Sequence, residues 1–358
     1  MRKQLATFVE PHYGRDRLGL VVGGWVVDAS LAYASLLSRR GVPQPADRAE
    51  LELPPDMLRF LQGGEPAWAA LSAVYAELPA PEAVGALKGA RGESIAFALD
   101  GLRLRAPVPR PGKIIHTAGN FREHAKEGSE GKWGFQIPPW ISFLKCTSSI
   151  IGHEDNIVYP RLTRKLDHEI EVGIVIGRGG RYIPAEKAWD HIAGFTVFND
   201  ISARDIQARE MKSGLLNLGK NLDTFAPFGP VMTLRDDIGD VHQLKIELRV
   251  NGDPRQVSST SRLAVSIPEI VSHWSVMRLE PGDIISTGTV SGVAAFRPDP
   301  GPYWLKPGDV VECEIENIGL LRNRLVADEL TPEQEAWLAR RESLFATDQV
   351  DEYLQRSK

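Results

Sequence analysis

Leu166-Asp167-His168-Glu169-Ile170-Glu171-Val172-Gly173-Ile174-Val175-Ile176 is the stretch on which fold and chemistry both turn. Its second half, rich in Ile and Val, has the pattern of a buried strand. Side chains alternate along a strand, so Glu169 and Glu171 point to one face, their backbones ~7 Å apart. Two carboxylates aimed together from an apolar strand are costly without a counter-charge. A hard divalent cation removes that cost and prefers oxygen ligands. The competing reading is an edge strand with two solvated glutamates, and the apolar run that follows argues against it.

Working outward, a third carboxylate stands in Gly194-Phe195-Thr196-Val197-Phe198-Asn199-Asp200, where Asp200 ends an apolar strand. A helix is predicted from Ile201, so Asp200 is either a functional carboxylate or an N-cap. Upstream, Asn120-Phe121-Arg122-Glu123-His124-Ala125-Lys126-Glu127 puts His124 and Glu127 three residues apart. On a helix they share a face, and a carboxylate beside an imidazole raises its basicity, as a general base requires. Downstream, Lys220 lies in a Gly/Pro-bounded apolar loop, Leu218 to Pro230. It either meets an anionic substrate or snorkels to water. Ile285-Ser286-Thr287-Gly288-Thr289-Val290-Ser291-Gly292-Val293 follows a strand and offers N–H groups and hydroxyls suited to a carboxylate.

Around these motifs the expected class is α+β: a β-rich mixed domain preceded by a small α/β N-terminal domain. Leu5–Val9 and Leu18–Val27 read as paired strands, with Gly23-Gly24 as a turn. Leu31–Arg39 and Pro55–Leu78 have helical spacing. The Pro-rich Ala106–Gly112 reads as a linker, giving domains at 1–110 and 111–327. In the second, strands are expected at Ile170–Ile176, Phe195–Phe198, Leu244–Val250, Asp283–Ser286 and Val310–Ile315. Asn251-Gly252 marks a hairpin turn. Helices are expected at Phe121–Gly128, Ile201–Met211 and Pro268–Met277. The 328–358 extension opens with Thr331-Pro332-Glu333-Gln334, an N-cap, a first-turn proline and a capping-box glutamine.

The chain has 358 residues, 42% hydrophobic and 25% charged, with a formal charge of −5. No basic block supports nucleic-acid or anionic-membrane binding. Cys146 and Cys313 are too few for a disulfide framework and are expected as reduced core thiols. No apolar run is long enough to span a bilayer and no secretory signal opens the chain, so the expected location is cytoplasmic.

The ordered set Asn-aromatic-x-x-His-x-x-Glu, Glu-x-Glu, Asn-Asp-x-Ser-Ala-Arg-Asp-x-Gln, Lys-x-x-Asp-Thr-Phe-x-Pro-x-Gly-Pro and Ser-Thr-Gly-Thr-x-Ser-Gly-Val resembles the fumarylacetoacetate hydrolase family over about residues 111 to 326. The resemblance implies a mixed β-roll, usually dimeric. It implies Glu169, Glu171 and Asp200 as metal ligands, with magnesium the usual ion and manganese or calcium as substitutes. Lys220 and Thr289 match substrate-contacting positions, as does Gln207, with Arg204 beside it. His124 and Glu127 match a dyad on a helix that closes over the site. The implied reaction is hydrolysis of a C–C bond in a small 2,4-dioxo acid, with water activated by His124 and charge stabilised by the metal and Lys220. Decarboxylation, hydration or tautomerisation of a 2-oxo acid on the same site is the alternative, and a non-catalytic binding protein is the second. The sequence departs from the family at Phe121, Cys146, His153 and Asn221-Leu222, and Cys146 and His153 are expected to reshape the pocket wall. Trp133, Phe135 and Trp140 in the 128–140 loop suggest a more apolar pocket.

Overall fold

The computed structural model describes residues 2–130 and 141–345; Trp133, Phe135 and Trp140 lie outside the described residues. The Ile170–Ile176 strand is buried at every position. It runs antiparallel to Ile192–Asn199 on one side and Ile284–Thr289 on the other, so its carboxylate does not belong to a solvated edge. Ile114–Ala118 extends the sheet in parallel beyond Ile284–Thr289, and Ile141–Lys145 closes that side.

On the opposite side the sheet continues through Ala226–Leu234 into the N-terminal residues. Gln4–Val9 pairs with it, Leu5 opposite Met232. Asp16–Val22, Trp25–Asp28 and Ala96–Ala98 then follow in order. The expected Gly23-Gly24 turn is present, with Gly23 at φ 58°. One mixed sheet of eleven strands thus crosses the 110/111 boundary. Leu5, Leu20 and Phe60 share a core with Phe198, Phe228 and Met232. The Pro-rich stretch is packed: Val108 is buried, and the Thr7 hydroxyl donates to Pro107 O at 2.7 Å. Proline there fixes the backbone against the sheet and is no free tether.

Helices cover the N-terminal strands. Ala29–Arg39 starts at Asp28, whose carboxylate accepts from Leu31 N–H at 2.9 Å and holds Arg17. The expected helix over Pro55–Leu78 is two, Met57–Gln62 and Gly64–Glu77, because Gly64 at φ 58° breaks it. Pro45–Glu52 is a further helix that apolar spacing did not reveal.

A second sheet of five strands orders Asp253–Ser259, Lys245–Val250, Val310–Ile315, Gly319–Ala327 and Ile157–Tyr159. Asn251 and Gly252, at φ 54° and 80°, make the expected hairpin turn. The helix expected from Ile201 begins instead at Arg204, because Ser202–Ala203 pairs with Leu166–Asp167. The other two lie at Arg122–Glu130 and Ile267–Trp274. In the tail, Pro332–Phe345 is helical, and Thr331 and Gln334 exchange hydrogen bonds at 2.8 and 3.3 Å. Both cysteines are free; Cys313 is buried as expected, whereas Cys146 is exposed. Among the described residues no helix is long and apolar enough to cross a membrane.

Candidate active site

Three strand ends and two loops converge on one pocket beside the central strand. Glu169 and Glu171 flank Ile170, and the ladder sets Ile170 opposite Asn199, so Asp200 arrives alongside. Asp200 N–H donates to Glu169 O at 2.8 Å, and the Asn199 side chain accepts from Glu169 N–H at 3.1 Å. The N-cap alternative for Asp200 does not hold, since Ala203 caps the following helix. Lys220 does not snorkel outward. It is 2% exposed, and its ammonium donates to Glu169 at 2.7 Å, Asp200 at 2.6 Å and Ser202 Oγ at 2.7 Å.

Arg204 also faces inward. Its Nε donates to Asp167 Oδ2 at 2.8 Å, Nη2 to Glu169 Oε1 at 2.5 Å and Nη1 to Gln207 Oε1 at 2.9 Å. Asp167 in turn accepts from Ala294 and Ala295 N–H at 2.9 and 3.1 Å, which ties the turn after Thr289 to this network. His124, Glu169, Glu171, Asp200, Arg204, Gln207, Lys220 and Thr289 all line the same pocket, with Ile141, Phe143, Met211, Leu216 and Phe296 as apolar walls. Glu127 is set back from that lining. It lies 3.7 Å from His124 Nδ1 and accepts from Gly292 N–H at 3.3 Å. His124 is 5% exposed, with its ring 5.0 Å from that of Phe296.

The motif residues outside the pocket hold it together. Asn120 accepts from Val265 N–H at 2.9 Å and donates to Thr287 O at 3.1 Å, fixing the entry to the His124 helix. Phe121 is core. Cys146 and His153 are not among the lining residues. Cys146 N–H donates to Asn221 Oδ1 at 2.5 Å, so two of the departures from the family pattern bind each other. His153 Nδ1 accepts from Arg322 N–H at 3.1 Å.

Three site residues, His116, Lys145 and Asp167, have no role in the sequence reading, and Ser286 enters it only among the turn hydroxyls suited to a carboxylate. His116 lies in the Ile114–Ala118 strand, its Nδ1 3.0 Å from Glu171 Oε2 and 3.7 Å from Asp200 Oδ2. Lys145, wholly buried, donates to Asp200 Oδ1, and Ser286 donates to Glu171 Oε2. Asp167 carries Arg204. The available signal was a charged or polar residue inside an apolar strand, as in Ile114-Ile115-His116 and Phe143-Leu144-Lys145.

The charges do not balance evenly. Asp200 has Lys145 and Lys220, Glu169 has Lys220 and Arg204, and Asp167 has Arg204. Burial alone would raise the Asp200 pKa, but the two ammonium groups outweigh it and hold the carboxyl well below its ordinary value. Among the described residues Glu171 has only the His116 ring and the Ser286 hydroxyl. Burial, reinforced by the charges of Asp200 and Glu169, pushes its pKa up. The deficit of positive charge therefore falls on Glu171. There, His116, Glu171 and Asp200 offer ligand atoms within 4.8 Å of one another. The buried His116 Nε2 has no hydrogen-bond partner among the described residues. Two carboxylates and an imidazole that lack one permanent cation fit a divalent metal. Glu169, expected as a ligand, borders this group; its oxygens meet Arg204 and Lys220, as those of Asp200 meet Lys145 and Lys220, and such contacts leave carboxylate lone pairs for an ion in both.

Comparison with known proteins agrees with the geometry. Residues 113–326 match the fumarylacetoacetate (FAA) hydrolase C-terminal family. A mitochondrial oxaloacetate tautomerase of Bos taurus is 37% identical over 328 residues, 90% of this chain and 91% of that one. An oxaloacetate tautomerase of Bacillus subtilis (strain 168) is 42% identical over 239 residues, 65% of this chain and 76% of that one. Among solved structures, maleylpyruvate hydrolase from Sphingobium sp. SYK-6, in complex with manganese(II) and pyruvate, aligns with a TM-score of 0.65 at 28% identity. It covers 91% of this chain and all of that one. With the mixed sheet, the carboxylate pair and the match over the whole catalytic region in agreement, the chain belongs to the fumarylacetoacetate hydrolase family.

Proposed function

We propose that the protein is a divalent-metal-dependent tautomerase that interconverts the enol and keto forms of a small 2-oxo dicarboxylic acid of the oxaloacetate type. The observation that carries this reading is the likeness to the bovine oxaloacetate tautomerase, which extends over 90% of the chain. Expected as the alternative to C–C hydrolysis, tautomerisation becomes the main reading. Hydrolysis draws its support from the maleylpyruvate hydrolase, at 28% identity.

The site chemistry suits a proton shuttle. His116, Glu171 and Asp200 would hold the ion, with Glu169 at their border. The carboxylates in this set suit magnesium, manganese or calcium, hard cations that prefer oxygen ligands. A bound divalent ion supplies Lewis acidity toward the carboxylate and 2-oxo oxygens of the substrate. The Lys220 ammonium, already shared by two carboxylates, adds positive charge where the enolate oxygen develops. His124, its Nδ1 3.7 Å from Glu127, takes the proton from C3 as the C–H electron pair becomes the enolate double bond. His124 then hands that proton to O2, which completes the enol and restores the neutral imidazole; the reverse sequence ketonises it. No water is consumed. Ile141, Met211, Leu216 and Phe296 keep bulk water from the carbanion.

The test follows the ultraviolet absorbance of enol oxaloacetate during ketonisation, with Mn2+ and with chelator, and pyruvate release from an acylpyruvate in parallel. Metal-dependent ketonisation without pyruvate release is expected. Pyruvate release with no effect on ketonisation would return the reading to hydrolysis. His124→Asn should lower kcat for ketonisation about 10²- to 10⁴-fold and leave Mn2+ binding intact. Full activity in that variant removes His124 as the proton carrier.

A further inference from the structure

The side-chain amide of Gln256 stands out among the buried polar groups that the proposed mechanism leaves unused. Gln256 belongs to the second sheet, yet it is 0% exposed and its side chain reaches Thr289, which lines the pocket. The approach is possible because Gly292 lies against it: a Cβ there would sit 2.3 Å from Arg255 O and 3.3 Å from Gln256 Cα.

Its orientation follows from its neighbours. Oε1 faces Ile170 N–H at 3.2 Å, a group that can only donate. Nε2 faces Val290 O at 2.7 Å, a group that can only accept. The amide therefore cannot be reversed. The second lone pair of Oε1 faces His168 Nδ1 at 3.0 Å, and the second N–H of Nε2 points to Thr289 Oγ1 at 2.9 Å. All four hydrogen bonds an amide can make are formed.

This fixes the hydroxyl of Thr289. It accepts from Gln256, and its own proton goes to Ile170 O at 3.0 Å. The proton is spent, and one lone pair is left. We infer that Gln256 is a positioning residue that presents Thr289 to the ligand as a hydrogen-bond acceptor. The Thr289 hydroxyl then recognises a donor, the hydroxyl of an enol or a 2-hydroxy acid, and offers no proton to a carboxylate or keto oxygen. This departs from the sequence expectation that the hydroxyls of this turn suit a carboxylate. It rests on the oxo-acid reading of the site and says which tautomer the Thr289 wall favours.

Calorimetric titration of the Mn2+-loaded protein tests it without turnover, using malate, which carries a 2-hydroxyl, and oxalate, which has no donor at neutral pH. Thr289→Val should weaken malate about tenfold and leave oxalate within about twofold, as expected for one lost hydrogen bond. Thr289→Ser should restore malate. Gln256→Leu should weaken malate and spare or tighten oxalate, since the freed hydroxyl can turn and donate. The double variant Gln256→Leu/Thr289→Val should be no worse for malate than Thr289→Val alone. Equal weakening of both ligands, or none for either, overturns the inference. Should the wild type bind neither diacid, the oxo-acid reading fails separately. The hydrogen-bond chain is then read from amide exchange at Ile170, which Gln256→Leu must accelerate, and unchanged exchange overturns it.

Discussion

At the scale of single residues, the site is a lesson in shared counter-ions. Lys145 and Lys220 divide Asp200 between them, each on a different carboxylate oxygen. Removing one partner of a buried pair strands the other, at a cost of about 3–5 kcal/mol. Lys145→Met should therefore lower the unfolding free energy by about that amount, read from urea titration. A loss below about 1 kcal/mol would mean that Lys220 alone satisfies Asp200. Glu171 is the opposite case, a buried carboxylate that a metal would relieve. Saturating Mn2+ at a hundred times its Kd should stabilise the wild type by about 2.7 kcal/mol, and Glu171→Gln should abolish that gain in a thermal melt. An unchanged gain in the variant would move the ion away from Glu171. The sequence made Glu169, Glu171, Asp200 and Lys220 visible because charge in an apolar run is anomalous wherever it stands. His116 and Lys145 are equally anomalous, one in the middle and one at the end of a five-residue strand. Their partners, Glu171 and Asp200, are each 55 positions away. Spacing shows that a group is buried; it does not show what it meets.

At the scale of elements, local chemistry was legible where one or two residues decide the backbone. Asn251-Gly252 and Thr331–Gln334 are such places, and both adopt the expected turn and cap. The helix at Ile267–Trp274 adds a testable cap of the same kind. The Ser266 N–H and hydroxyl both donate to the Glu269 carboxylate, at 2.9 and 2.6 Å. These bonds hold the Glu269 pKa below its ordinary 4.5. A carboxyl depressed in the folded state contributes stability above its unfolded pKa, and loses it as pH falls through the folded value. Wild type should thus melt above Glu269→Ala near neutral pH, and the gap should close as pH drops below about 4.5. A gap that persists in acid would place the effect in helix propensity instead. Elements went unread where tertiary pairing overrode local preference. Ser202–Ala203 was taken into a helix because only its pairing with Leu166–Asp167 makes it a strand.

At the scale of the whole molecule, a linker drawn at the Pro-rich 106–112 stretch meets a sheet that does not stop there. Gln4–Val9 covers what would otherwise be an open edge of Ala226–Leu234, and Leu5, Leu20 and Phe60 cover Phe198, Phe228 and Met232. Composition marked where the chain changes character, from helix-rich to strand-rich. It carried no information on whether the two parts share hydrogen bonds, because strand pairing between positions 4 and 233 leaves no local trace. The consequence concerns function, since Ala226–Leu234 pairs with Ile192–Asn199, the strand that ends at Asp200. A chain beginning at residue 111 would present a bare, apolar edge strand one strand away from the metal-capable cluster. We expect that truncation to aggregate in size-exclusion chromatography and to lose Mn2+-dependent stabilisation. Adding residues 1–110 in trans should recover both in part. A truncated chain that stays free of aggregate and keeps the Mn2+ response would establish the 110/111 boundary as a true domain boundary, with the N-terminal strands an appendage to a site that needs no help from them.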